Sequence, residues 1–97
     1  MAAFFIVNIQ IPDKTDRDNY DEYIARVKPI VESYGGRYIV RSEHILLFAG
    51  DGKPDRVIII EFDDRQQLDN CFASLEYASV KGLRENNVKT EAYIVEQ

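Results

Sequence analysis

Two arginines four residues apart, Arg37 and Arg41, and a glutamate, Glu61, are the side chains of this sequence best suited to chemistry. If the segment is a strand, positions i and i+4 fall on one face. Two guanidinium forks then stand side by side, a geometry suited to a carboxylate or a phosphate group. Glu61 can either hold one of those arginines in place or move a proton. His44 is the only histidine and the only side chain that titrates near neutrality without being perturbed. It falls at a strand start beside a bend, where a general base can be presented. Asn8 and Gln10 join the same polar set, and the hydroxyl of Tyr20 is within reach of it. In one reading these residues line a pocket on the helix-free face of the sheet, between the sheet and a partner, for a small anionic or polar ligand. Arg37, Arg41, Tyr20 and Asn8 bind it, and Glu61 and His44 are the catalytic candidates. In the other reading an Arg–Glu pair only satisfies charges buried at a subunit interface.

Other chemistries find little support. One His and one Cys far apart in sequence cannot close a zinc site, and no acidic cluster has calcium-loop spacing. The stretch AGDGKP (49–54) has two glycines and a lysine but lacks the Walker spacing and leads into a strand, so it is not a phosphate loop. No cofactor is expected. Cys71 has no visible base beside it and reads as a packing thiol.

The 97 residues carry a formal net charge of −5, with 45% hydrophobic and 30% charged residues, an ordinary globular balance. Without a cluster of Lys and Arg, nucleic acid is not an expected partner, nor is an anionic membrane surface. The apolar run 4–11 is too short to cross a bilayer and lacks a basic flank. A single cysteine fits a reducing compartment, so a cytoplasmic setting is the expectation.

The elements that must position these residues can be read in order. Ala3–Ile11, dense in Phe, Ile and Val and bounded by Pro12-Asp13, is a strand. Thr15 with Asp18 resembles a capping box. Tyr20, Tyr23, Ile24, Val27, Ile30, Val31 and Tyr34 then recur at helical spacing. Pro29 lies inside that helix, costing one backbone hydrogen bond and kinking its last turns, and Gly35-Gly36 ends it. Arg37–Arg41 is a second strand, which can continue past Ser42-Glu43 into His44–Phe48. Arg56–Phe62 is a third. Asp64 opens a helix carried by Leu68 and Phe72. Ser74 opens another carried by Tyr77, Val80 and Leu83, and Asn86-Asn87 stops it. Val88–Val95 closes the order β-α-β-β-α-β, the α+β, ferredoxin-like pattern of an antiparallel sheet with helices on one face. The whole chain, 1–97, reads as one domain.

In such a fold the face away from the helices should alternate to polar. Here strict alternation gives it Phe4, Ile6, Asn8, Gln10, Arg37, Ile39, Arg41, Val57, Ile59 and Glu61, half of them apolar. A patch of this kind needs a cover, and a second copy of the same face is the simplest one. The expected partner is therefore the chain itself.

Taken together, Tyr20-x-x-Tyr23, Pro29, Tyr34-Gly35-Gly36-Arg37-Tyr38-x-x-Arg41, Pro54-x-Arg56-x-x-x-x-Glu61-Phe62 and Ser74-x-Glu76-Tyr77 resemble the domain-of-unknown-function family 1330 (DUF1330) over nearly the whole chain. The resemblance implies a ferredoxin-like fold in the dimeric α/β-barrel group, and it adds Tyr77 to the candidate site beside Arg37, Arg41 and Glu61. It implies no particular reaction. Two positions depart from the family's pattern. Cys71-Phe72 stands where a bulky aromatic is usual, and Leu75 replaces the proline of the Ser-Pro-Glu-Tyr motif. Either change could reshape the cleft beside the second helix. Cofactor-free acid–base chemistry, a non-catalytic ligand-binding or stress-associated role, and a purely structural dimer remain open.

Overall fold

A computed structural model describes residues 1–11, 14–82 and 88–97. Its elements are β1 (Ala3–Gln10), α1 (Lys14–Ser33), β2 (Arg37–Ser42), β3 (Arg56–Phe62), α2 (Arg65–Phe72), α3 (Leu75–Val80) and β4 (Lys89–Glu96). The Pro12-Asp13 boundary, Leu83, the Asn86-Asn87 stop and the Thr15 side chain expected to cap α1 lie outside the described residues.

The strands form one sheet in the order β2-β3-β1-β4, every neighbouring pair antiparallel. This is the ferredoxin-like arrangement. Ala3, Val7 and Ile9 of β1 and Ile58, Ile60 and Phe62 of β3 are buried, as their period-two spacing requires. They meet Tyr20, Tyr23, Ile24, Val27 and Val31 of α1, Leu68 and Cys71 of α2, and Tyr77 and Val80 of α3. Among the described residues no helix is long and apolar enough to cross a membrane.

The end of α1 is set by two glycines with different tasks. Gly35 takes φ 87°, the left-handed conformation that caps a helix, and the Gly36 N–H returns to the Val31 carbonyl at 2.9 Å. Gly36 is needed for space: a Cβ there would lie 2.5 Å from Val31 Cγ1 and 3.0 Å from the Phe62 ring. The chain can therefore turn directly from α1 into β2 across the top of Phe62.

Two expectations for β2 need correction. The first concerns its length. It ends at Ser42, which pairs with Val57, and β3 itself begins one residue earlier at Arg56. No strand of this chain is left for His44–Phe48 to pair with, so that segment has no regular structure. Leu46 and Phe48 stand 95% and 102% exposed. The second concerns which way its residues point. Tyr38 pairs with Ile60 but Val40 pairs with Ile59, a bulge that inserts Ile39 as an extra residue. One inserted residue inverts the alternation beyond it. Arg37 shares the helix-free face with Glu61, and Val40 joins it. Arg41, opposite Ile58, turns to the helix side.

The helices that follow β3 start where their caps indicate. Asp64 accepts from the Gln67 N–H at 2.9 Å and Ser74 Oγ from the Tyr77 N–H at 3.1 Å. Leu75, the first residue of α3, is 86% exposed, so its departure from the family's proline leaves the interior unchanged. Proline suits this first helical position, and Ser74 already has the extended backbone (φ −73°, ψ 156°) that a following proline demands. Leu75→Pro is expected to raise stability by about 0.5 kcal/mol, measured as a higher urea midpoint with an unchanged m-value.

Candidate functional site

Among the described residues a partly open cavity of about 70 Å³ lies between the sheet and the helices. Its floor is made of two cross-strand rows on the inward face, Tyr38–Ile60–Phe5 and Ile58–Val7–Ala92, with Thr90 beside them. Tyr20, Tyr23, Ile24, Val27 and Val31 form the roof along α1, and Phe72 and Tyr77 close one side. Phe72 stacks on Phe5 at 4.3 Å and meets Tyr77 edge-on at 4.9 Å. This aromatic wall belongs to the core as much as to the cavity.

Every described lining side chain is uncharged, so the polar character comes from hydroxyls. Tyr23 and Tyr77 share a buried hydrogen bond at 3.1 Å between their phenol oxygens. Tyr38 Oη and Thr90 Oγ1 are buried with no hydrogen-bond partner among the described residues. Burial pushes the Tyr38 phenol up to about 12, which keeps it neutral and able to donate at physiological pH. An unmade hydrogen bond on a buried hydroxyl costs on the order of 1–3 kcal/mol, and both residues belong to the cavity's lining.

The residues singled out in the sequence do not form one group. Tyr20 and Tyr77 line the cavity. Arg41 is exposed at the β2 edge, on the cavity side of the sheet. On the opposite face Glu61 lies 3.5 Å from Arg37, whose stronger partner is Asp63 at 3.0 Å. Asn8 lines a polar cleft of about 180 Å³ on that face with Gln10, Asp51, Lys53, Lys89 and Glu91. His44 is exposed just past β2, its backbone N–H donating to Ser42 Oγ at 3.0 Å. Arg37 and Glu61 are thus brought together as expected. Arg41 and His44 are not part of their group, because the bulge rotates one away and the end of β2 releases the other.

Sequence reasoning passed over Arg56. It is 7% exposed, on the same inward alternation as Ile58, Ile60 and Phe62. Its Nη2 reaches Asp21 at 3.1 Å and Glu43 at 3.6 Å, and its guanidinium carbon lies 5.5 Å from the centre of the Tyr20 ring. Asp21 is one residue beyond Tyr20, so the pairing fixes the start of the cavity's roof against β3. The usable signal was an arginine standing in register with three inward apolar residues. Cys71 is fully buried, and burial raises its thiol to about 11, which suits a packing role.

The fold and cavity define a ferredoxin-like α+β protein with a partly open aromatic hollow under its helices. The family described as "domain of unknown function (DUF1330)" matches residues 2–97, and the chain belongs to it. A comparison with curated proteins returns no match. Among solved structures, a protein of unknown function from Rhodopseudomonas palustris superposes with TM-score 0.85 at 17% identity, covering 99% of this chain and 82% of that one. A dimeric ferredoxin-like protein of unknown function from Jannaschia sp. CCS1 gives TM-score 0.78 at 10% identity, with both chains covered completely (100% each). SnoaB, a cofactor-independent oxygenase from Streptomyces nogalater, gives 0.72 at 12% identity, covering 99% and 92%. At these identities the likeness is one of fold.

Proposed function

We propose that this protein is a homodimeric small-molecule-binding protein that pairs through its helix-free sheet face and holds one guest per subunit in the cavity under its helices. The observation that carries the reading is the pair of buried, unpartnered hydroxyls, Tyr38 Oη and Thr90 Oγ1, in an otherwise apolar and aromatic hollow. A guest with an apolar body and one polar end matches the apolar lining and one of the hydroxyls, since Tyr38 stands on β2 and Thr90 on β4 at opposite edges of the sheet. Its size is limited: the cavity of about 70 Å³ is far below the roughly 300 Å³ at which ordinary ligand pockets begin. The guest is a molecule of few heavy atoms.

The dimer reading draws on the apolar centre of the open face and on the description of the Jannaschia neighbour as dimeric. It suits a cytoplasmic protein without disulfides. The description of SnoaB as a cofactor-independent oxygenase keeps catalysis without a cofactor within the range of this fold. In this chain, however, Glu61 and His44 lie away from the cavity, and the groups placed to handle a proton there are the hydroxyls of Tyr38, Thr90, Tyr23 and Tyr77.

Thermal-shift screening with small amphiphiles of two to five carbons tests the binding role. A guest should raise the melting temperature of the wild type. The effect should disappear in Val27→Phe, which fills the hollow, and should weaken in the Tyr38→Phe/Thr90→Val variant. If that double variant is instead less stable than wild type and no amphiphile shifts either protein, the hydroxyls serve structure and the binding role is wrong.

A further inference from the structure

We propose that the cavity's guest is a small monocarboxylate, with its short alkyl body on the Ile58–Val7 floor beside Tyr38 and its carboxylate on the Arg41 guanidinium at the rim. This rests on the reading of the cavity as a ligand site and adds the charge and polarity of the ligand.

The argument begins with the bulge at Ile39. Without it Arg41 would join Arg37 on the open face. With it, Arg41 heads the cross-strand row Arg41–Ile58–Val7–Ala92, whose other three members all line the cavity. Tyr38 heads the adjacent row Tyr38–Ile60–Phe5, which lines it too. The Arg41 charge acts directly on the Tyr38 phenol, pulling against the upward shift that burial causes. Arg41 is therefore close to Tyr38, and on the same side of the sheet as the cavity.

Arg41 is also available. No described carboxylate forms an ion pair with it, whereas Arg37, Arg56, Arg65, Arg26 and Lys28 all have one. Glu32, the carboxylate that also acts on Tyr38, is held by Lys28 at 3.2 Å. Among the described residues the interior has no charged lining to pair with a charged guest, and an unpaired buried carboxylate is prohibitively costly. An anionic group must therefore stay at the rim, where a free guanidinium offers two parallel donors. The volume sets the rest. At roughly 30 Å³ per small liquid-like unit, about 70 Å³ holds a body of two or three carbons.

The test is an NMR titration of ¹⁵N-labelled protein with butyrate, butyramide and butylammonium, following the amides of Val7, Ile58 and Ala92. Butyrate is expected to bind about tenfold more tightly than butyramide, and butylammonium not at all. Arg41→Gln should bring butyrate down to the level of butyramide without changing butyramide binding. Arg41→Lys should restore part of the preference. Equal binding of butyrate and butyramide to the wild type, or a preference that survives in Arg41→Gln, would overturn the monocarboxylate assignment while leaving the cavity as a ligand site. If none of the three shifts the cavity amides, both readings fail together.

Discussion

Phe62→Ala is expected to destabilise the fold by about 3–5 kcal/mol, the range for truncating a buried phenylalanine. Phe62 is fully buried, its ring set edge-on to Phe72 at 6.2 Å. Gly36, which has no side chain of its own, lies against the same ring. The hollow left by the ring is bordered on that side by backbone that cannot move in, so little of the loss is recovered by collapse. Domains of this size have total stabilities of roughly 5–15 kcal/mol, and a loss of this order lowers the melting temperature by about 15 °C or more. Phe62→Leu keeps most of the volume and should cost less than half as much. Urea unfolding of both variants checks this. Similar losses for leucine and alanine would show that the aromatic contact with Phe72, and not the filled volume, is what matters at this position.

The same region shows why much of this fold could be read from the sequence. Ile58, Ile60 and Phe62 alternate without interruption on a central strand, so periodicity alone gives their side of the sheet. Asp64 and Ser74 are caps whose side chains have little to do except accept from the next turn, and they mark α2 and α3 correctly. β2 behaves differently because it is an edge strand with one neighbour, β3. Its pairing can absorb an extra residue at Ile39, which neither composition nor spacing reveals, and every side-chain direction after that residue inverts. The candidate site was tied to this one strand: Arg37 and Arg41 were placed together by strict alternation, and the bulge separates them. The cavity was hidden for another reason. Its lining is ordinary core, Tyr, Val, Ile and Phe at helix and strand spacing, and a hollow arises from how those residues fail to fill space, which depends on packing between distant segments. Tyr20 and Tyr77 fell on it because aromatic residues with a hydroxyl serve core and cavity alike.

Ile6→Lys is expected to convert the protein from a dimer to a monomer. Ile6 sits on β1, at the middle of the helix-free face, directly between Ile59 of β3 and Tyr93 of β4. Phe4, Val40, Val57 and Val95 extend this apolar centre, with Tyr93 and Val95 50% and 44% exposed. Arg37 and Glu61 lie toward one end, and the polar cleft with Asn8, Gln10, Lys89 and Glu91 toward the other. An apolar centre with a polar margin is the anatomy of an interface. A twofold pairing doubles the substitution, so two ammonium groups would be buried near one another without partners. The expected penalty is at least about 3 kcal/mol, on the order of a hundredfold in Kd. Light scattering at tens of micromolar should give a dimer mass for wild type and a monomer mass for Ile6→Lys. The circular dichroism spectrum should keep its form, because the side chain points away from the helices and the core. Leu46→Ser/Phe48→Ser removes the exposed apolar segment that follows β2 and should weaken the dimer less, since that segment lies beyond the last paired residue, Ser42. A monomer mass for the wild type would remove the dimer altogether. A dimer that survives Ile6→Lys but not the Leu46/Phe48 change would move the interface from the open face to the 44–48 segment.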